Sequence, residues 1–396
     1  AHGWREVFGS DPFTMRLLSV LAVLGAAAFL WRASDRGTIG VIAVALFLLS
    51  PNIASAAESA RGYVVGVLLL AAAYAFAASA LRADKLTPGR AMVAALAAGA
   101  AVHAHHLALM PGLGLIGLTV MRIGRQRPSA AILSLLIYGA VVVMAVPLLL
   151  EQHDNRPDQF AGFRDVGQEL LAFMRIVLGG LVELPGPLWV VGLHHVVLST
   201  VLAVGLVAVF RDRSVAALLA LAALATHLAG VLIAFIVFDR SLAGIFGNDR
   251  FSAFMMPFLV IIAAEGLVFL ARQRPARGAL LGAAVATLLI VGWRDGAAPI
   301  PPWRATLTRE QIDRAASLGE AETLAIVPRG YGRGGPASWA LSLPPDTPMA
   351  VVDAGSDLDA LEPAARNRRL VLIHPDETGR LGEAIADFAE RLRRTD

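Results

Sequence analysis

The chain has 396 residues, of which 57% are hydrophobic and only 16% charged, with a mean hydropathy of +0.65. A soluble domain carries about 25% charged residues, so an ordinary soluble enzyme is excluded. The net charge of +3 is too small to argue for a nucleic-acid partner, and the absence of cysteine excludes disulfides and thiolate metal sites.

The chain opens at Ala1 on an amphipathic stretch, without Met and without a signal-peptide pattern. It is expected to lack its true N-terminus. Apolar runs then follow near 13–31, 37–55, 62–81, 91–104, 107–121, 129–150, 189–210, 214–238, 252–271 and 278–293. A transmembrane helix needs roughly 20 apolar residues, so the expected fold class is an all-α polytopic membrane bundle of about ten helices.

The window 91–121 is long for one span and short for two. Charge decides between them, because cytoplasmic loops collect Lys and Arg. With two short helices turning at His103 to His106, five loops (32–36, 82–90, 122–127, 211–213 and 272–277) fall on one side. They hold 13 Lys and Arg in 29 residues, against 6 in 68 for the opposite loops. Two spans are therefore expected, with the C-terminal tail outside the cytoplasm. The long loop 151–188 predicts an amphipathic helix over 164–178, with Leu170, Phe173, Ile176 and Val177 on one face, lying as a lid on the membrane surface.

After Trp293 the composition changes: residues 294–396 carry 16 Asp and Glu and 13 Arg. A Pro-rich linker from Ala298 to Trp303 divides a membrane domain (1–293) from an extracytoplasmic domain (294–396). Strand-like runs at 323–328, 349–353 and 369–374 alternate with helical patterns at 308–318, 336–342, 356–366 and 377–394. That order predicts a small parallel α/β sheet. Gly330, Gly332 and Gly335 satisfy G-x-G-x-x-G, with Asp353 ending the next strand. The following helix is too short for a dinucleotide fingerprint, so the segment reads as a Gly-rich loop.

Ionisable groups at a membrane face are costly and mark function by default. On the outer side gather Glu58 and Arg61, then His103, His105 and His106, then Asp249 and Arg250. A guanidinium offers a fixed fork of donors suited to phosphate oxygens. Arg61 and Arg250 are therefore the candidates for holding the phosphate of a lipid-linked donor. The bland alternative is that each Arg snorkels to the interface or pairs with Glu58 or Asp249. The histidines lack a neighbouring carboxylate and any His-Glu-x-x-His pattern, so no metal site is expected. His194, His195 and His227 read as packing or interhelical hydrogen-bond groups.

These residues, in this order, resemble the bacterial members of the dolichyl-phosphate-mannose protein mannosyltransferase family, which have the GT-C fold. Trp4, Phe8, Gly9, Phe13, Arg16 and Leu17 are similar to the family's amphipathic segment entering its second membrane helix. Ser50 and Pro51, then Arg61 and Tyr63, resemble its Ser-Pro and Glu-Ala-Arg-x-Tyr loop, although Glu58 stands three residues before Arg61, not two. His105 resembles the His of a His-Tyr pair, with His106 in place of Tyr. Arg250 and Phe251 resemble an Arg-Tyr before a late span. Pro302, Trp303 and Arg304 resemble the Pro-Trp-Arg that opens a C-terminal extracytoplasmic domain.

The resemblance implies an inverting glycosyltransferase of the bacterial inner membrane, using a polyprenyl-phosphate sugar donor and a hydroxyl acceptor at the outer face. It implies donor-phosphate binding by Arg61 and Arg250, and a substrate site including Tyr63, His105, His106 and Asp249. It calls for no cofactor. The family's catalytic Asp belongs to a first extracytoplasmic loop, after a first span, and neither is found in this sequence. Asp11 and Glu58 are the nearby substitutes, with Glu58 the candidate base, and the chain reads as a fragment or a degenerate relative. The rival readings are a lipid-linked sugar carrier or flippase, and an inactive relative that binds lipid phosphate.

Overall fold

The computed structural model describes residues 12–34, 37–58, 63–82, 87–154, 188–238, 253–296, 323–328, 349–352, 369–372, 387, 388 and 390. The chain divides into two units, one of Ala1 and Arg16–Ala298, the other of His2–Met15 and Pro299–Asp396. In the first, the described elements are all helical: α1 (Pro12–Ala33), α2 (Thr38–Leu48), α3 (Pro51–Glu58), α4 (Tyr63–Arg82), α5 (Pro88–Ala104), α6 (Leu109–Gly124), α7 (Pro128–Asp154), α8 (Leu188–Asp212), α9 (Val215–Phe238), α10 (Met256–Gln273) and α11 (Pro275–Gly296), with a 3-10 turn at His106–Ala108. Proline is the first or second residue of six of them, where its missing N–H costs nothing and its fixed φ suits the first turn.

Seven of these helices are long and apolar enough to cross a membrane. In lipid the backbone must satisfy its own hydrogen bonds, and a helix does so within one segment. Large side chains such as Leu24, Leu136, Val143, Met144 and Phe210 are exposed on their outward faces, where lipid is their natural solvent. The chain is a multi-pass membrane protein.

The run expected at 37–55 is not one helix. It breaks after Leu48, because Pro51 disfavours helical backbone at the residue before it, Ser50. The 11 residues of α2 rise only about 16 Å, half of a bilayer core of roughly 30 Å. The division of 91–121 into two helices is borne out: α5 ends at Ala104, and His105 takes extended backbone (φ −166, ψ 133) before the 3-10 turn. The chain reverses there. A Cβ on Gly112, seven residues after His105, would lie 3.5 Å from the Cβ of Ala98, seven before it.

Small residues set the packing. Ala91, Ala94, Ala95, Ala98, Gly99 and Ala101, with Val102, make up the buried side of α5, which packs along α4 and α7. Close backbone approach is the usual way helices associate where no hydrophobic drive separates them from lipid. Helices α8 and α10 cross on Gly205 and Gly266: a Cβ on Gly205 would stand 2.1 Å from the Ile262 carbonyl oxygen. Helices α4 and α10 are the most buried of the seven spans, and Met256–Val268 of α10 is buried on every side. A helix apolar all round belongs at the centre.

In the second unit the described strands are β1 (Thr323–Pro328), β2 (Met349–Val352) and β3 (Arg369–Leu372). They form a parallel sheet in the order β2-β1-β3, which agrees with the expected parallel strands. The helical patterns expected at 308–318, 336–342 and 356–366, the Gly-rich loop and the Pro-rich linker lie outside the described residues. Of 377–394, residues 387, 388 and 390 are helical, with Phe388 buried.

Candidate functional site

The site lies where α4 and α10 begin and α5 turns into α6. Tyr63 opens α4, and Phe254 stands in the turn that leads into α10. His105 joins α5 to the 3-10 turn. Their rings meet: the His105 centroid is 4.8 Å from that of Tyr63, 5.1 Å from Phe254 and 4.4 Å from the stacked ring of His106. Tyr63 and Phe254 complete the group at 6.4 Å, edge to face. The Tyr63–Phe254 pair is within the 4.5–7 Å range that aromatic rings favour, worth about 0.5–1.5 kcal/mol beyond burial.

Gly66 makes this arrangement possible. A Cβ there would lie 2.8 Å from Cε1 of Phe254 and 3.5 Å from the Cβ of Ala104. A glycine inside an exposed helix costs roughly 1 kcal/mol relative to alanine. Here it makes room for the Phe254 ring and for the C-terminus of α5.

The connector between α5 and α6 is fixed from several sides. His105 Nδ1 accepts the Leu107 N–H at 3.2 Å, so the imidazole caps the 3-10 turn. The Tyr138 hydroxyl of α7 donates to the Leu109 carbonyl at 2.8 Å. The Thr226 hydroxyl of α9 lies 2.8 Å from the Met110 carbonyl oxygen. Beside it, the buried His227 ring faces the backbone of Leu107. His103 Nε2 lies 2.8 Å from the Val141 carbonyl. That oxygen only accepts, so Nε2 carries the hydrogen.

His105 is half-buried, whereas His106 beside it is exposed. Burial, and then the neighbouring His106, push the His105 imidazole down to about 3. It is therefore neutral at physiological pH. An aromatic floor with a neutral imidazole in it has the chemistry of a surface for an uncharged polar ligand: ring faces for its apolar side and an N–H for its oxygens.

Three of the predicted site residues, Tyr63, His105 and His106, are thus brought together. Glu58 closes α3, in helical backbone; its side chain, and all of Arg61, Asp249 and Arg250, lie outside the described residues, as does the lid expected over 164–178. The sequence reading missed Phe254 and Gly66. Phe254 is one of several Phe residues near the start of an apolar run, and only its register against Tyr63 sets it apart. A helical glycine three residues after a candidate tyrosine was a faint sign. Among the described residues, no three His, Asp or Glu are grouped to hold a metal ion.

No protein-family model, curated protein or solved structure matches the chain.

Proposed function

We propose that this protein is an integral membrane glycosyltransferase of the bacterial protein mannosyltransferase type, a GT-C bundle of about ten spans. It moves a sugar from a polyprenyl-phosphate donor to an acceptor hydroxyl at the outer face of the inner membrane, where the C-terminal α/β domain also lies. The observation that carries this reading is the meeting of Tyr63, His105, His106 and Phe254. In sequence, Arg61 precedes Tyr63 by two residues and Arg250 precedes Phe254 by four.

In this reading the lipid phosphate docks on Arg61 and Arg250, with the sugar over the rings and the polyprenyl tail in the bilayer. The acceptor hydroxyl oxygen attacks the anomeric carbon. The bond from that carbon to the phosphate oxygen breaks, and the lipid phosphate leaves with the electron pair. Its charge is held by the arginines, a preorganised electrostatic contribution. The hydroxyl proton passes to a carboxylate acting as general base, for which Glu58 is the candidate. Asp249 is proposed to orient substrate beside Arg250. No cofactor is needed for these steps.

A second reading, a carrier for lipid-linked sugars, draws on the break between α2 and α3. Discontinuous helices with buried polar residues, here Ser50 and Asn52, line many transport sites. Vesicles separate the two readings: a carrier moves the labelled lipid between leaflets and leaves its glycosidic bond intact.

The test of the enzyme is transfer by the full gene product in membranes, from a panel of polyprenyl-phosphate sugars. Arg61→Ala and Arg250→Ala are expected to cut donor use at least tenfold, about 1.4 kcal/mol or more in transition-state stabilisation, with insertion intact. Wild-type rates in both variants overturn the donor-site assignment.

A further inference from the structure

We infer that the turn between α6 and α7 binds the phosphate of an anionic phospholipid headgroup through Arg122, Arg125 and Arg127. This goes beyond the proposed function and does not depend on it. The backbone of the turn is fixed. The Ile123 carbonyl accepts the N–H of Gln126 at 3.0 Å and that of Arg127 at 2.8 Å, and the Arg127 carbonyl accepts the Ala131 N–H at 3.2 Å. One helix therefore closes on the residue that opens the next. Arg125 keeps helical backbone (φ −63, ψ −28), so it stands about one turn beyond Arg122 on nearly the same face. Ile123 anchors the turn. It is buried in a small apolar cluster with Ala80 near the end of α4, Ala91 near the start of α5 and Ala130 near the start of α7. Four helix ends thus meet at the three arginines.

The charge of this place is uncompensated. Arg122, Arg125 and Arg127 are exposed. Two further arginines at the same helix ends are already tied to helices: Arg82 donates to the Ala33 carbonyl and Arg90 to the Ser79 hydroxyl. Among the described residues, no hydrogen bond or ion pair engages the guanidinium groups of the three in the turn, and no acid stands at these four helix ends. In sequence, the segments 82–90 and 122–127 hold six Lys and Arg against one acid, Asp84. The other Arg-rich connectors differ. Asp212 stands between Arg211 and Arg213, and Glu265, buried in α10, interacts electrostatically with Arg272.

The surroundings choose the occupant. The spans His106–Gly124 and Pro128–Pro147 flank the turn, so it lies at a membrane surface. Met121, next to Arg122, is 68% exposed, and Ile132, five residues past Arg127, is 57% exposed. Cations beside exposed apolar side chains fit a phosphate that carries acyl chains. A nucleotide or an acidic protein would leave those side chains in water. Guanidinium forks match phosphate oxygens in pairs, and basic pockets between membrane helices hold anionic headgroups.

The test uses the full chain in nanodiscs of phosphatidylcholine with a minor share of phosphatidylglycerol or cardiolipin, extracted into detergent for native mass spectrometry. The wild type is expected to retain the anionic lipid about tenfold above its share in the bilayer. The triple variant Arg122→Lys, Arg125→Lys, Arg127→Lys keeps the charge that orients the spans but loses the forks. It is expected to insert normally and to lose most of the enrichment. Arg125→Lys alone, on the exposed turn, is expected to lose part of it, and Arg213→Lys none.

An unenriched wild type overturns the inference. So does wild-type enrichment in both Lys variants of the turn, which marks diffuse attraction and no built site. An equal loss in Arg213→Lys overturns the location. Inorganic phosphate in excess is expected to leave the lipid bound; displacement by it marks a site for a soluble anion and overturns the lipid assignment.

Discussion

The two ends of the helical bundle treat their polar groups differently. At one end Tyr63, His105, His106 and Phe254 form a ring cluster whose hydrogen bonds hold a helix connector in shape. At the other end, polar side chains tie one helix to the next. The Tyr74 hydroxyl donates to the Ala216 carbonyl at 2.9 Å, and Arg90 donates to the Ser79 hydroxyl at 2.6 Å. Arg82 donates to the Ala33 carbonyl, and the Arg211 guanidinium lies over the Phe269 ring at 5.5 Å. Ser214 caps α9 by accepting the Ala217 N–H, and its hydroxyl lies 2.9 Å from a carboxyl oxygen of Glu265. The lesson is that ionisable residues in a membrane bundle do not all mark a ligand site. Those named at the second end are used in joining helices, whereas the first end gathers aromatic and imidazole rings around a helix connector.

Substitutions break this contrast in a predicted order. The largest effect is expected at the α8–α10 crossing, where any side chain on Gly205 meets the backbone oxygen of Ile262. Gly205→Val is expected to cost about 3 kcal/mol of stability, the upper part of the usual range for overpacking. Thermal unfolding in nanodiscs measures it, and transfer by the folded fraction is expected to be unchanged. Gly66→Ala comes second and reverses the pattern. The added methyl meets the ring of Phe254, a side chain that rotates, so the stability loss is expected to be smaller, about 1 kcal/mol. The displaced ring is expected to cut sugar transfer about tenfold, equivalent to roughly 1.4 kcal/mol. Ser214→Ala is the smallest: about 1 kcal/mol for the lost cap and carboxyl partner, with KM and kcat unaltered. Equal kinetic damage from Ser214→Ala and Gly66→Ala would erase the distinction between the ends.

The membrane architecture was legible because it is written in run length and in charge. Of the ten apolar runs expected to span, seven are helices long and apolar enough to cross a membrane among the described residues, and the turn at His105 follows from the Arg-rich loops on either side of the hairpin. The break after Leu48 was written in Ser50–Pro51, but a continuous apolar run concealed it, since hydropathy is blind to backbone geometry. In the C-terminal domain, the strands were legible from their β-branched and aliphatic runs; the parallel pairing in the order β2-β1-β3 is a tertiary result. Part of the site was legible. Tyr63, His105 and His106 stood out as polar groups at a membrane edge. Phe254 did not, because an apolar ring at the start of an apolar helix carries no mark in sequence. Its role comes from meeting a tyrosine 191 positions earlier, across a gap left by Gly66. The cap made by His105 was hidden for a related reason: histidine is not a usual capping residue, and only the backbone of Leu107 reveals it.

The most direct test of the contrast between the ends is photocrosslinking of the full-length protein in nanodiscs, with a polyprenyl-phosphate sugar carrying a diazirine on its sugar. Labelled peptides are expected to contain Tyr63, His105–His106 or Phe254, and an excess of unlabelled donor is expected to abolish the label. Labelling confined to peptides around Arg82, Arg90 and Ser214 would contradict the account.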